Sequence, residues 1–214
     1  MAKDKPRKPL DKDRIVEIAG ELIDRDGLAA FSMRGLGREL GVEPMSLYHW
    51  FPSRDHVMDA LLDRFLGRVE VPAPGPWEER LAAIARGFRE AARTNPGAYP
   101  FFAIHRSNTE MGLSRIEAML DVLAEVHPDP ARRAAAFRLF IHWLVGFSLD
   151  ETSGFAKGPS AQDPPPDDVV AERFPLVTAL GPYNRPEHFD ALFEAGLAAV
   201  IAGVRALAPG ARQG

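Results

Sequence analysis

Ser32, Gly41, Pro44, Pro52 and Ser53 decide where helices can begin and end between residues 31 and 65. Ser32 can cap a helix whose Leu36 and Leu40 point inward, and Gly41 ends it by taking up a turn conformation at no steric cost. Pro44 suits the first turn of the next helix, where its missing N–H costs nothing, and Pro52 prevents that helix from running far past Trp50. Ser53 then caps a longer helix with the apolar stripe Val57, Met58, Leu61, Leu62, Phe65, Leu66 and Val69. Within these limits "GVEPMSLYHWFPSRD" sets Tyr48, His49, Trp50 and Phe51 side by side, and a helix this short cannot bury all four rings.

The rest of the chain repeats the same 3.6-residue spacing without a recurrent apolar alternation, so the expected fold is all-α. A helix at about 11–26 carries Ile15, Ala19, Leu22 and Ile23 on one face and stops at Gly27. "VPAPGPW" at 71–77 breaks the pattern and marks a domain boundary. Helices are expected beyond it at about 77–94, 109–126, 129–152, 168–180 and 187–208, with a short helical or irregular piece through 106. The expected architecture is an N-terminal helix-turn-helix domain over 10–70 and a C-terminal helical ligand-binding and dimerisation domain over 71–208. A basic arm at 1–9, a mobile proline-rich loop at 157–168 and a frayed tail at 209–214 complete it.

Composition narrows the chemistry. The 214 residues are 46% hydrophobic, enough to bury a sizeable core, and contain no cysteine, which excludes disulfides, thiolate metal sites and thiol redox work. No secretion signal and no apolar stretch of bilayer-spanning length is evident, so a cytoplasmic protein without membrane contact is expected. The net charge is −4, yet residues 1–68 hold 12 Lys/Arg against 12 Asp/Glu while the remainder holds 14 against 18. Lys3, Lys5, Arg7 and Lys8 outnumber Asp4 in the first residues, a modest positive arm for phosphate or a solvated terminus. Glycine-rich phosphate loops, paired-histidine zinc motifs and nucleophile elbows are absent from the sequence, so no catalytic residue and no enzymatic role is expected.

The helix pair 33–40 and 44–50 has the spacing of a helix-turn-helix, whose second helix enters the major groove. Many helical hairpins share that spacing, so the side chains decide. Leu47 and Phe51 face the core, while Ser46 and Tyr48 carry hydroxyls for phosphate or base edges and Met45 can meet a thymine methyl. Arg34 can reach a guanine edge or a phosphate, and Arg54 can clamp phosphate at the start of its helix. "FSMRGLGRELGVEPMSLYHWFPSRDHVMDALLDRF" resembles the DNA-binding domain of TetR-type, tetracycline-repressor-like transcriptional regulators. The resemblance implies that Arg34, Pro44, Met45, Ser46, Tyr48, His49, Trp50 and Arg54 contact double-stranded operator DNA. Where tetracycline repressor carries a base-reading amide at the start of this helix, the chain has Pro44, which implies a different operator.

"HFDALFEAGLAAVIAGVRAL" and the proline-rich loop resemble the same family more loosely. The nearly all-apolar helix at 134–149 and the stripe Leu192, Phe193, Val200, Ile201 and Val204 predict a homodimer through a four-helix bundle, with Ala191, Ala195, Ala199 and Gly203 as small faces. Tyr99, Phe101, Phe102, His105, Phe137, His142, Trp143 and Phe147 form the expected lining for a small apolar or aromatic effector. His105 with Asp150 or Glu151 is too sparse a set for a metal, and no cofactor is expected. The function expected is a ligand-released, homodimeric repressor at a palindromic operator; the alternatives are a helical protein-binding module or an enzyme of unknown type without DNA binding.

Overall fold

The computed structural model describes residues 10–105, 107–153 and 162–207; the expected arm at 1–9, part of the proline-rich loop and the tail at 209–214 lie outside them. The described residues form no strand and run through α1 (Lys12–Asp26), α2 (Met33–Leu40), α3 (Pro44–Trp50), α4 (Arg54–Gly67), α5 (Trp77–Arg93), α6 (Tyr99–Phe102), α7 (Glu110–Val126), α8 (Pro130–Ser153), α9 (Asp167–Arg173), α10 (Pro175–Leu180) and α11 (Phe189–Ala206). Among the described residues no helix is long and apolar enough to cross a membrane.

Side-chain caps set the helix starts. Asp11 Oδ1 accepts the Arg14 N–H at 2.8 Å, Ser32 Oγ that of Gly35 at 3.1 Å and Ser53 Oγ that of His56 at 3.4 Å. At the end of α2 Gly41 lies in the left-handed region (φ 66°), and the Val42 N–H donates to Gly37 O at 2.9 Å. The turn between α2 and α3 is close because Gly37 has no side chain: a Cβ there would lie 3.0 Å from Val42 O.

Ile15, Ala19 and Ile23 of α1, Leu36 of α2, Leu47 of α3 and Val57 and Met58 of α4 are sealed from solvent and form the N-terminal core. Helix α4 is too long for that core alone. Its second half carries Phe65 into an aromatic cluster with Phe88, Tyr99 and Phe102, ring centroids 5.2 to 5.8 Å away. The apolar stripe of α4 thus serves two packing layers, joined in one continuous core.

Helix α8 packs against α5, α7 and α11. It fully buries the i, i+4 row Ala136, Phe140, Leu144 and Ser148, packs Phe137, Ile141, Trp143 and Val145 partly against the core, and leaves Ala135, Leu139, His142 and Gly146 on an open face of the single chain. Helix α11 likewise divides the stripe assigned to dimerisation. Phe193, Val200 and Val204 turn into the protomer's own core, whereas Leu192 is exposed and Ile201 half-buried. Gly203 serves the internal contact as well, since a Cβ there would meet Leu139 Cδ2 at 3.1 Å; Gly196 in the same way accommodates the Trp143 indole at 2.8 Å. The reason is helical periodicity: residues 193, 197, 200 and 204 share one side, so the free side of α11 is the one holding Leu192, Ala195 and Ala199.

Candidate nucleic-acid interface and ligand cavity

Helix α3 is seven residues long and spends only Leu47 on the core. Met45 is 76% exposed and Tyr48 40%, so both side chains are open to contact from outside. Ser46 and His49 are exposed beside them, and Arg34 is exposed on α2. Pro44 and Trp50 are half-buried, with the Trp50 ring edge-on to His49 at 6.0 Å. Phe51 is sealed. Arg54 is engaged by the protein itself: its Nη2–H donates to Leu28 O at 3.3 Å and its guanidinium lies over the Phe31 ring at 5.6 Å. Of the four adjacent rings, Tyr48 and His49 face out, Trp50 is divided and Phe51 plugs the small core.

A cavity of about 210 Å³ lies beside the second half of α4. Its walls are Leu62, Phe65, Leu66 and Val69, faced by Ile84 and Phe88 of α5, Phe102 of α6, Ile116 and Met119 of α7, and Phe137, Ile141 and Val145 of α8. Its charged and polar residues are Glu70, His105, Ser107 and Arg115. Of the residues expected to line it, Phe102, His105 and Phe137 do so. Phe101 lies behind, stacked on His105 with centroids 4.3 Å apart. The expectation fails for three residues of α8: His142 is exposed, and Trp143 and Phe147 pack on Phe193 of α11 at 5.3 and 5.2 Å. Steps of four residues keep 137, 141 and 145 on the cavity side and carry 143 and 147 to another. Tyr99 is fully buried and donates its hydroxyl to Val145 O at 3.2 Å.

Three polar bonds join the segment from His105 to Arg115 to α4. His105 Nε2–H donates to Asp59 Oδ1 at 2.8 Å, the Thr109 hydroxyl donates to Asp63, and Arg115 Nε–H donates to Leu66 O at 3.1 Å. Positions 59, 63 and 66 lie one turn apart, so these bonds follow a single side of α4. Sequence reading missed this row, Arg115 included, because its partners are 46 to 49 residues apart. The one available signal was the apolar stripe of α4, which outruns the core of a three-helix domain.

On the far side of α5, Arg89 binds Glu151 through two bonds of 2.8 and 2.6 Å and Asp190 at 2.7 Å, and covers the Phe193 ring at 4.6 Å. Glu151 is therefore committed to Arg89 and His105 to Asp59, so the two do not converge on a shared ligand. Among the described residues no group of three His, Cys, Asp or Glu is placed to hold a metal ion.

Residues 15–61 match the bacterial regulatory proteins of the tetR family, and residues 71–208 match the tetracyclin repressor-like C-terminal domain. The HTH-type transcriptional repressor DrrR1 of Streptomyces coeruleorubidus is 29% identical over 94% of this chain and 80% of its own length. The tetracycline repressor protein class A from transposon 1721 of Escherichia coli is 26% identical over 91% of this chain and 90% of its own. Among solved structures, the TetR family protein ActR of Streptomyces coelicolor, in complex with (S)-DNPA, superposes with a TM-score of 0.72 at 28% identity, covering 94% of this chain and 100% of that one. The helix-turn-helix, the cavity against α4 and these matches over both parts of the sequence lead to one assignment: the chain belongs to the TetR family of transcriptional regulators.

Proposed function

We propose that this chain is a homodimeric, ligand-responsive transcriptional repressor. In this reading the exposed side of α3, with Met45, Ser46, Tyr48 and His49, enters the major groove of a near-palindromic operator, and Arg34 and the free edge of Arg54 contact its backbone. Pro44 and Trp50 shape the two ends of the reading helix. The observation that carries the reading is α4. Its first half closes the core under α3, and its second half is a wall of the cavity, so one rigid element touches both reader and ligand.

An effector in the cavity meets Phe102, His105 and Phe137 directly, and the bonds at Asp59, Asp63 and Leu66 pass its arrival to α4. Release of DNA requires the ligand to prefer the state in which the two reading helices no longer fit successive grooves. About 2–3 kcal/mol of such preference gives roughly a hundredfold change in operator affinity. Dimerisation is supported by the open side of α8 and α11, where Leu139 and Leu192 lie among alanines, and by the exposed apolar residues Phe174, Leu176, Val177 and Leu180 of the α9–α10 region. DrrR1, named a repressor, and ActR, solved with a small molecule, support the same division of roles.

The test begins with selection of a duplex from random-sequence DNA, followed by fluorescence anisotropy with that duplex. Affinity is expected to fall steeply with salt, and Tyr48→Ala or Arg34→Ala to weaken it by about tenfold or more at unchanged circular dichroism. Failure to recover any duplex, or wild-type affinity in both variants, overturns the reading.

A further inference from the structure

Arg115 stands out among the residues of the cavity. The wall is mostly apolar, and of its four charged or polar residues, Glu70, His105, Ser107 and Arg115, this arginine of α7 is the one lasting positive charge. Its Nε–H is used on Leu66 O at 3.1 Å. Among the described residues its two Nη groups have no hydrogen-bond partner and no carboxylate pairs with it. The nearby carboxylates are occupied elsewhere: Asp59 holds His105 and Asp63 holds Thr109. Glu70, the only acidic residue among those described on the wall, is exposed on the linker after α4. The remaining polar residue of the segment, Ser107, adds a hydroxyl between His105 and Arg115 in sequence.

A fixed positive fork beside apolar surface selects for one kind of molecule. Arginine presents two parallel N–H donors that match a carboxylate, and such a bond gains strength away from bulk water. The volume, about 210 Å³, exceeds the roughly 150 Å³ of an engineered core cavity that takes up benzene, so a body of two fused rings fits. Resting on the reading that this cavity takes the effector, we propose that the effector is a flat, apolar organic carboxylate of about two rings, with Arg115 as its counter-charge. Because Arg115 also bonds Leu66 O, the carboxylate arrives on a side chain already attached to α4.

The test is calorimetric titration of the full chain with three probes that share one ring system: naphthalene-2-carboxylate, naphthalene-2-carboxamide and naphthalene-2-methylammonium. The carboxylate is expected to bind about tenfold more tightly than the amide, and the ammonium most weakly. Arg115→Gln is expected to bring carboxylate and amide within about twofold of each other, while Arg115→Lys keeps most of the preference. Equal binding of carboxylate and amide, a preference for the ammonium, or an equal loss for all three probes in R115Q overturns the carboxylate assignment and leaves the cavity standing. If none of the three binds, the two-ring carboxylate proposal falls, while the repressor reading is judged separately by the duplex selection.

Discussion

Asp24 and Gly97 meet where the first helix of the reading domain touches the corner after α5. The Asp24 carboxylate accepts the Gly97 N–H at 2.9 Å, and the approach is so close that a Cβ on Gly97 would lie 2.8 Å from both Asp24 Cα and Ile23 O. Burial raises the Asp24 carboxyl above its ordinary range, and the backbone N–H donors of Gly97 and Ala98 only partly counter it. The sign follows from proton linkage. A carboxyl that holds its proton more tightly when folded loses stabilising effect as pH rises past about 4, so the charged form is a cost at neutral pH. Asp24→Asn keeps an oxygen for Gly97 and removes the charge. Its melting temperature by circular dichroism at pH 7 is expected to equal or exceed that of wild type, with the difference shrinking toward pH 4. Asp24→Ala, which loses the acceptor, is expected to melt lower at both. A lower melting temperature for D24N at pH 7 would show that the ionised carboxylate is favourable here.

At the scale of elements, α4 and α7 are held together by a residue that serves both. Thr109 Oγ1 accepts the Gly112 N–H at 3.0 Å as the cap of α7 while its proton goes to Asp63 of α4. Thr109→Val removes cap and cross-link with little change of volume, and is expected to cost about 1–2 kcal/mol in urea unfolding; Thr109→Ser keeps both bonds and is expected to cost under about 0.5 kcal/mol. Equal losses in the two variants would assign the effect to packing of the methyl group. Thr109 also marks where sequence reading stops. Helix limits were legible because a cap, a proline or a left-handed glycine acts within four residues, as at Ser32, Gly41, Pro44 and Ser53. A bond from Thr109 to Asp63 spans 46 residues and leaves no periodic trace. The same limit explains the lining of the cavity. Aromatic richness pointed to α8, but whether Phe137 or Trp143 faces the cavity depends on how α8 is rotated against α5 and α11, which no local pattern records.

For the whole molecule the proposed dimer turns on one surface, and the exposure of α11 separates two substitutions that the sequence alone makes look equivalent. Leu192 and Val204 both belong to the apolar stripe of the last helix, yet Leu192 is 44% exposed and Val204 0%. Beside Val204 lies the buried His127, whose Nε2–H donates to Val204 O at 2.9 Å, so this end of α11 is sealed against α7. A carboxylate at 204 is shut off from water, and Val204→Asp is expected to lose several kcal/mol and yield little folded protein. A carboxylate at 192 meets solvent in the single chain. Leu192→Glu is therefore expected to leave helical content and the isolated protomer's stability nearly unchanged, but to place a charge in the middle of a bundle made by α8 and α11 of two chains. Sedimentation equilibrium is expected to give twice the protomer mass for wild type and the single mass for L192E, with operator affinity falling in step because one reading helix alone holds half a site. A folded L192E chain that keeps the wild-type mass would move the interface off this face.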